Sequence, residues 1–351
     1  MAGTKVLIFG WASSIHVERW ARGLTERGYD VKVVSPVGEP IDGIKTTILP
    51  GGSKLSYLRL ASKAAAEAAG FEPDIVHVHY AGGLGLWGVR TGRRPLVVSA
   101  WGSDIADLPR RIFFRFLVRR VLRKATCVTA TSRWLRQMTT ALQPKVEGKI
   151  EVIPFGITLP DTAHEMPPPH PVKMCFIKAH RPVYGPDILL QALAVVKKRH
   201  PDIVLNMAGR GEMTGQLKGL VDQLGLRRNV NFVGYIDNSE ISSFIGRHHF
   251  MVMPSLSESF GVAVLETAAC ARPAIASDVG GVPEVLQDGK TGLLVPAGAV
   301  DPLAEAINRL AEDVDLRFAL GLAGRRFVKE NFDWQKSLDM MTALYDRLLS
   351  A

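Results

Sequence analysis

Long apolar segments and paired cysteines are both scarce in this chain of 351 residues. Its apolar runs fall short of the roughly 18 residues that a membrane-spanning helix needs, so we expect no span. Three cysteines, Cys127, Cys175 and Cys270, lie far apart in apolar surroundings, which indicates buried thiols in a reducing compartment rather than disulfides or a metal site. The segment Val6–Phe9 is too short for a signal peptide and fits a first strand. We therefore expect a cytoplasmic protein.

A net charge is also missing from one half of the chain. Residues 166–351 hold equal numbers of basic and acidic side chains, so the formal net charge of +9 lies in residues 1–165. Much of it comes from the segment Pro109–Lys124, and within Arg111–Lys124 arginines recur at every fourth position among apolar residues. This pattern predicts a basic amphipathic helix. Its role stays open between an Arg-rich solvent face and peripheral docking on an anionic membrane or acceptor; we expect no nucleic-acid partner.

Short apolar strands alternate with amphipathic helices along the whole chain. Residues 4–35 already form one strand–helix–strand unit, and a proline-rich stretch at 160–171 precedes a second series that restarts at Val172–Ile177. This alternation predicts two doubly wound, Rossmann-like α/β domains. We place them at residues 1–165 and 166–334, with a terminal helix at about 335–351. Ligands of such domains bind at the carboxyl ends of the strands.

Three polar residues of the first half are expected at strand ends. His79 closes the strand 74–80, Asp104 follows the strand 96–100, and His16 follows the first strand. His16 could equally be an ordinary residue at a helix start, and Asp104 could equally cap the helix after it. His77 lies on the same face as His79, but no third ligand lies nearby, so we expect no metal there.

Two glutamates of the second half, Glu258 and Glu266, stand eight positions apart. Glu266 lies in a helix of small and apolar residues, where an unpaired buried charge costs several kcal/mol. A ligand diol or a structural arginine would explain its presence. Ser257 or Ser259 is expected to cap this helix, and Gly261 would let an anion approach the backbone N–H groups at its start.

The segment Gly209-Arg210-Gly211 follows a predicted strand and mimics a dinucleotide fingerprint. Its spacing to Gly215 is wrong by one residue, and no acidic residue closes a second strand about 20 positions further on. The sequence therefore gives little support for NAD. A glycine turn that contacts a nucleotide or sugar fits equally well.

The order of the motifs resembles that of a known enzyme family. Residues 250–296 contain a strand, PSLSESFG, Glu266, SD, GGVPE and DGKTG in succession. Matching segments of the first half are SIH at 14–16, PDIVH at 73–77, GSD at 102–104 and VIPFG at 152–156. The whole chain resembles the retaining GT-B glycosyltransferases of family 4 (group 1), known for an E-x7-E signature. This resemblance implies two Rossmann-like domains that face each other across a cleft, with the C-terminal helix crossing back to the N-terminal domain.

The resemblance also implies an activity. Such enzymes move a hexosyl or N-acetylhexosaminyl group from a nucleoside-diphosphate sugar to an acceptor hydroxyl, with retention and usually without a metal or other cofactor. The expected donor is a UDP-sugar, then GDP-mannose, bound by the second domain. The first domain would bind a glycan, a lipid-linked acceptor or a small molecule during polysaccharide or glycolipid synthesis, and its positive charge favours an acceptor bearing phosphate.

Individual roles follow from the same resemblance. Glu266 would hold the donor ribose, and Glu258 would contact the transferred sugar. Further donor-binding residues would be Ser259, Phe260, Gly261 and Val262 at the helix start, and Gly209, Arg210, Gly211, Tyr235 and Ile236 near the base.

Two departures from the family pattern alter the expected site. The usual diphosphate-binding Arg and Lys fall on Ala179 and Tyr184, so we assign that role to Lys178 and Arg181. Trp101 stands where many relatives have a histidine, which leaves His79, His16 and Asp104 as its substitutes beside Glu258. These departures keep a catalytically weak sugar-nucleotide-binding paralogue open, and a GT-B phosphorylase or epimerase would use the same cleft.

Overall fold

A computed structural model describes residues 3–51, 56–107, 111–160 and 167–351. The chain forms two compact units, the first comprising Met1–Pro154 with Gln335–Ala351 and the second Phe155–Trp334. The last helix therefore returns to the first unit, as the resemblance implied. The expected boundary at 165/166 and much of the proline-rich stretch lie outside the described residues.

The first unit contains a parallel sheet of seven strands. Its strands are β1 (Lys5–Phe9), β2 (Asp30–Ser35), β3 (Lys45–Ile48), β4 (Ile75–His79), β5 (Leu96–Ala100), β6 (Cys127–Ala130) and β7 (Ile150–Val152). Its helices are α1 (Ile15–Glu26), α2 (Ser56–Phe71), α3 (Gly83–Arg90), α4 (Ser103–Ala106), α5 (Ile112–Lys124) and α6 (Arg133–Leu142). The strand order is β3-β2-β1-β4-β5-β6-β7.

The second unit contains a parallel sheet of six strands. Its strands are β8 (Lys173–Ile177), β9 (Val204–Ala208), β10 (Val230–Gly234), β11 (Phe250–Met253), β12 (Ala274–Ser277) and β13 (Leu293–Val295). Its helices are α7 (Pro186–Val196), α8 (Thr214–Gln223), α9 (Ile241–Gly246), α10 (Val262–Ala269), α11 (Val282–Val285), α12 (Val300–Glu312) and α13 (Val314–Asn331). The last helix of the chain, α14 (Trp334–Leu349), belongs to the first unit from Gln335 onward. The strand order is β10-β9-β8-β11-β12-β13.

Each unit has its own apolar core. The central strands are short continuous apolar runs, as expected for parallel strands that are buried on both faces. In the first unit Phe9 of β1 meets the fully buried Trp87 edge to face at 5.9 Å. In the second, Phe176 and Phe250 on the neighbouring strands β8 and β11 are fully buried.

The terminal helix α14 is held to the first unit by buried polar contacts of Tyr345 and by an exposed ion pair of Arg347. The hydroxyl of the fully buried Tyr345 lies 2.6 Å from Nδ1 of His77, whose Nε2 lies 2.7 Å from Oγ of Ser99. Burial lowers the pKa of His77 to about 3, so this ring is neutral. Arg347 donates to both carboxylate oxygens of Glu151 at 2.7 Å.

The sequence pattern did not predict the helix α3. Its sequence, GLGLWGVR, carries three glycines, which disfavour a helix. Packing requires all three, since a Cβ would lie 2.5 Å from Tyr57 at Gly83, 2.6 Å from Val121 at Gly85 and 2.4 Å from Val78 at Gly88. Among the described residues, no helix combines the length and hydropathy needed to cross a membrane.

Candidate functional site

The second unit has a switch point between β8 and β11. The chain runs outward from β8 through β9 to β10 and then returns to β11 on the other side of β8. Open parallel sheets bind ligands at the carboxyl ends of the strands at such a point. The segments 178–185 and 254–261 meet there, and the amide of Leu256 donates to the carbonyl of Val183 at 2.8 Å.

An ion pair joins these two segments. Nζ of Lys178 lies 2.6 Å from Oε2 of Glu258, and the two side chains are 17% and 12% exposed. Burial lowers the pKa of Lys178, but the charge and hydrogen bond of Glu258 outweigh it, with smaller contributions from Tyr184 and Glu266, so the pKa is raised. Lys178 therefore stays charged, and both glutamates of the E-x7-E pair act on its ammonium group.

The helix α10 begins beside this pair. Its N-cap is Gly261, at a φ of +100°, a residue without a side chain that could accept a hydrogen bond. The expectation that Ser257 or Ser259 caps the helix is wrong, because the glycine occupies the position directly before the first helical residue. The first N–H groups of a helix lack partners within it and favour an anion.

The donor-site residues on and before α10 differ in which of their atoms could reach a ligand. The side chain of Phe260 is 2% exposed and packs at 6.1 Å from Phe155 and 5.8 Å from Phe332, so only its backbone is available. Ser259, Val262 and Glu266 are half-buried. Phe260 could therefore contact a ligand through its backbone amide but not through its ring.

Two glycines after β12 hold the Glu258 backbone in place. A Cβ at Gly280 would lie 1.8 Å from the carbonyl oxygen of Glu258, and one at Gly281 would lie 2.3 Å from that of Ser259. The amide of Gly281 donates to the Glu258 carbonyl at 3.0 Å. The GGVPE segment is one of the motifs that carry the resemblance, but its part in positioning Glu258 was not predicted.

The glycines at 209 and 211 have a similar structural reason. A Cβ at Gly209 would lie 2.2 Å from the carbonyl oxygen of Lys178, and one at Gly211 would lie 2.3 Å from that of His180. This close backbone packing accounts for the glycine pattern that resembles a dinucleotide fingerprint. It also fixes the loop that carries Lys178.

The remaining residues predicted for the donor site are more exposed. Arg181 and Arg210 are exposed, Tyr235 is 71% exposed, and Ile236 is half-buried. One residue of this loop was missed: His180 is buried, and its Nδ1 lies 2.9 Å from Oγ1 of Thr214. Burial lowers the pKa of His180. Its place between the two assigned cations was the only sequence signal.

The first unit has its own switch point, between β1 and β4. Here the ring of Trp101 lies 5.0 Å from that of His79 and 5.7 Å from that of His16. Both ring nitrogens of His79 are buried and have no hydrogen-bond partner among the described residues. Burial, with smaller effects of His77 and His16, lowers the pKa of His79 well below its usual value, so the ring is neutral.

Asp104 fastens the loops around this point. Its buried carboxylate accepts backbone hydrogen bonds from Ala81 (2.8 Å), Trp101 (3.0 Å) and Gly102 (2.9 Å). Burial raises its pKa, although these bonds oppose the shift. These contacts favour a role of Asp104 in positioning the loops. This is similar to the alternative that the sequence left open, in which Asp104 caps the helix after it. Tyr80, between His79 and Ala81, has a φ of +93°, which is strained for a tyrosine.

Comparisons with known proteins identify the family. Residues 164–327 match the family described as glycosyl transferases group 1, and residues 5–132 match glycosyl transferase 4-like proteins. A GDP-mannose-dependent alpha-(1-6)-phosphatidylinositol monomannoside mannosyltransferase of Mycolicibacterium smegmatis is 30% identical over 276 residues, covering 72% of this chain and 70% of that protein. A D-inositol 3-phosphate glycosyltransferase of Jonesia denitrificans is 29% identical, covering 88% and 79%. The chain belongs to the group 1 (family 4) glycosyltransferases.

Solved structures share the fold over nearly the whole chain. Sucrose-phosphate synthase of Thermosynechococcus elongatus has a TM-score of 0.88 at 22% identity and covers 99% of both chains. HepE of Anabaena, in complex with UDP and glucose, has a TM-score of 0.86 at 19% identity and covers 98% of this chain and 100% of that one. The fold is therefore GT-B, and the enzyme class is glycosyltransferase.

Proposed function

We propose that this protein is a retaining glycosyltransferase that moves a hexosyl or N-acetylhexosaminyl group from a nucleoside-diphosphate sugar to an acceptor hydroxyl. The observation that carries this proposal is the Lys178–Glu258 ion pair, beside the start of α10 with its glycine N-cap, at a switch point. A cation and the N–H groups of a helix start suit a diphosphate, and a neighbouring carboxylate suits sugar hydroxyls.

Two relatives bear on the choice of donor. HepE of Anabaena has the same fold and was solved with UDP and with UDP-glucose, which favours a UDP-sugar. The M. smegmatis relative is GDP-mannose-dependent, which makes GDP-mannose the second candidate. Glu266 would bind the ribose hydroxyls that both donors share.

The proposed reaction needs no protein nucleophile. The bond between the anomeric carbon and the diphosphate breaks, and the acceptor oxygen forms its bond on the same face. The acceptor proton passes to the departing phosphate, which leaves within the nucleoside diphosphate. Lys178 would exchange Glu258 for a phosphate oxygen, and Arg181 with the α10 amides would stabilise the remaining negative charge without a metal.

The first unit is proposed to receive the acceptor. His16, His79 and Asp104 lie at its switch point, with Asp104 in a positioning role. Relatives named for D-inositol 3-phosphate and for a phosphatidylinositol monomannoside favour an acceptor that bears phosphate. The exposed basic side chains of α5 are proposed to hold the enzyme on an anionic membrane surface.

Nucleotide binding and turnover test the donor site. Lys178→Ala combined with Arg181→Ala should lower kcat at least about 100-fold, since charge stabilisation is often worth several kcal/mol.

Glu266→Gln should weaken UDP or GDP binding roughly tenfold in calorimetry, as a lost charged hydrogen bond predicts, with an unchanged circular dichroism spectrum. The exposed pair Arg326→Ala and Lys329→Ala on α13 is the matched control.

Two outcomes would overturn these assignments. Near-native turnover of the Lys178 and Arg181 double variant would remove both cations from the mechanism. Unchanged nucleotide affinity of Glu266→Gln would refute the ribose role. Product analysis by NMR separates transfer with retention from phosphorolysis or epimerisation.

A further inference from the structure

An apolar pocket of about 310 Å³ lies in the first unit, beside its switch point. It is lined by Trp11 and Tyr80, which follow β1 and β4 and whose rings lie 4.6 Å apart. The helices α2, α3 and α5 contribute Tyr57, Leu84, Phe113 and Leu117. Every residue that lines it is aromatic, leucine or glycine. Its volume is at the lower end of the range of small-molecule sites.

The polar atoms of the aromatic walls already have partners. Nε1 of Trp11 donates to the hydroxyl of Tyr57 at 3.0 Å, and the hydroxyl of Tyr80 lies 3.1 Å from Oγ of Ser103. The pocket therefore presents mainly ring faces and leucine methyl groups. Burying a sugar or phosphate there would cost several kcal/mol of lost hydration, as it does for any unpaired polar group, so the occupant that fits is a hydrocarbon.

The mouth of the pocket lies on an apolar and basic surface. Leu58 and Phe113 at the rim are 50% and 62% exposed, and Ile112 and Phe116 on α5 are 88% and 70% exposed. The exposed cations on α5 and at its N-cap are Arg111, Arg115, Arg119, Arg120, Arg123 and Lys124. Exposed apolar side chains beside such charges suit the interface of an anionic bilayer. The pocket and this surface share one helix.

We propose that the pocket holds the hydrocarbon chain of the acceptor, which is therefore an anionic membrane lipid. The chain would enter from the bilayer past Leu58 and Phe113, which brings the headgroup hydroxyl to the carboxyl ends of β1 and β4. Tyr80, at its strained φ of +93°, would mark the point where chain and headgroup meet. The inference names the acceptor class and so rests on the proposed function.

The length of the ligand's hydrocarbon chain is the variable that tests this proposal. The probes are n-butyl, n-hexyl, n-octyl and n-decyl phosphate, titrated into the full-length protein by calorimetry below their micelle concentrations. Affinity should rise about fourfold for each added methylene, as expected for its burial, and then level off once the pocket is full. Inorganic phosphate is the reference without a chain.

Two sets of variants separate the pocket from the bilayer surface. Leu58→Trp and Leu86→Trp, at partly exposed positions that line the pocket, should fill it and weaken octyl phosphate binding at least tenfold without lowering vesicle binding. Ile112→Ser with Phe116→Ser, on the face of α5 that does not line the pocket, should do the reverse.

The proposal is overturned if affinity keeps rising to decyl phosphate without a plateau and neither tryptophan variant changes it. Equal binding of inorganic phosphate and octyl phosphate would also overturn it, since the site would then recognise only the anion. UDP and GDP are titrated into the same samples. Failure of nucleotide binding would count against the donor proposal and leave the result on chain length unaffected.

Discussion

Gly280 allows the backbone of Glu258 to take its position in the candidate donor site because glycine has no side chain. The carbonyl oxygen of Glu258 occupies the place of its Cβ, and the neighbouring Gly281 donates to the same carbonyl. Glu258 is in turn the partner of Lys178. The position of a proposed catalytic carboxylate therefore depends on a loop more than 20 residues further along the chain.

Gly280→Ala should disturb both stability and nucleotide binding. The matched control is Gly289→Ala, because both glycines have positive φ values, +57° and +67°, but nothing lies within 4 Å of a Cβ at Gly289. The control should cost about 1–2 kcal/mol of unfolding free energy from backbone strain alone. Gly280→Ala should cost more and weaken UDP or GDP binding by tenfold or more. Equal effects of the two variants in urea unfolding and calorimetry would show that the contact with Glu258 is unimportant.

Residue types were easier to predict than their contacts. The need for cations near a diphosphate pointed to Lys178, yet its pairing with Glu258 joins residues 80 positions apart, which spacing within one element cannot reveal. The serine cap was wrong because Ser257 and Ser259 are good capping types at the wrong positions. His180 was missed because burial, rather than sequence context, makes it notable.

At the scale of elements, α5 matches its prediction most closely. The pattern predicted a basic amphipathic helix, and Val118, Val121 and Leu122 form its buried face while its arginines are exposed. Residues 109 and 110, the start of the predicted helix, lie outside the described residues. By contrast, α3 was missed because glycines that allow close packing weaken the local helix signal.

Charge reversal on α5 should remove membrane binding. Arg115→Glu with Arg119→Glu changes the net charge by four units and should lower binding to vesicles that contain anionic lipid at least tenfold, at about 1 kcal/mol for each basic residue near the surface. Arg326→Glu with Lys329→Glu makes the same charge change on the exposed face of α13 and should have little effect. Sedimentation with anionic and neutral vesicles measures both. If the α5 variant still sediments like the wild type, α5 is an ordinary solvent-facing helix.

At the scale of the whole molecule, alternation of strands and helices was sufficient to predict two parallel sheets. The rule that ligands bind at the carboxyl ends of strands then located both candidate sites. What the alternation could not give is the strand order, because the return from β10 to β11, beside β8, depends on tertiary packing. The return of α14 to the first unit came from the resemblance rather than from any local pattern.

The buried contact between α14 and the first unit should make that unit sensitive to acid. The pKa of His77 is about 3 in the folded protein, against an ordinary value of 6.5. Below pH 6.5 the unfolded chain binds a proton that the folded one does not, so stability falls as pH falls towards 3. The slope from one such histidine approaches about 1.4 kcal/mol per pH unit.

Replacement of His77 should therefore flatten the pH dependence of unfolding. His77→Gln keeps a donor and an acceptor for Tyr345 and Ser99 but cannot be protonated, so between pH 6 and 4 it should remove roughly 1.4 kcal/mol per pH unit of the slope. The rest of the slope would come from His79, whose pKa is also lowered by burial. Urea unfolding followed by tryptophan fluorescence measures this, because all but one of the six tryptophans belong to the first unit. The exposed His170→Gln is the control, and an unchanged slope in His77→Gln would mean that this histidine is not held neutral by the fold.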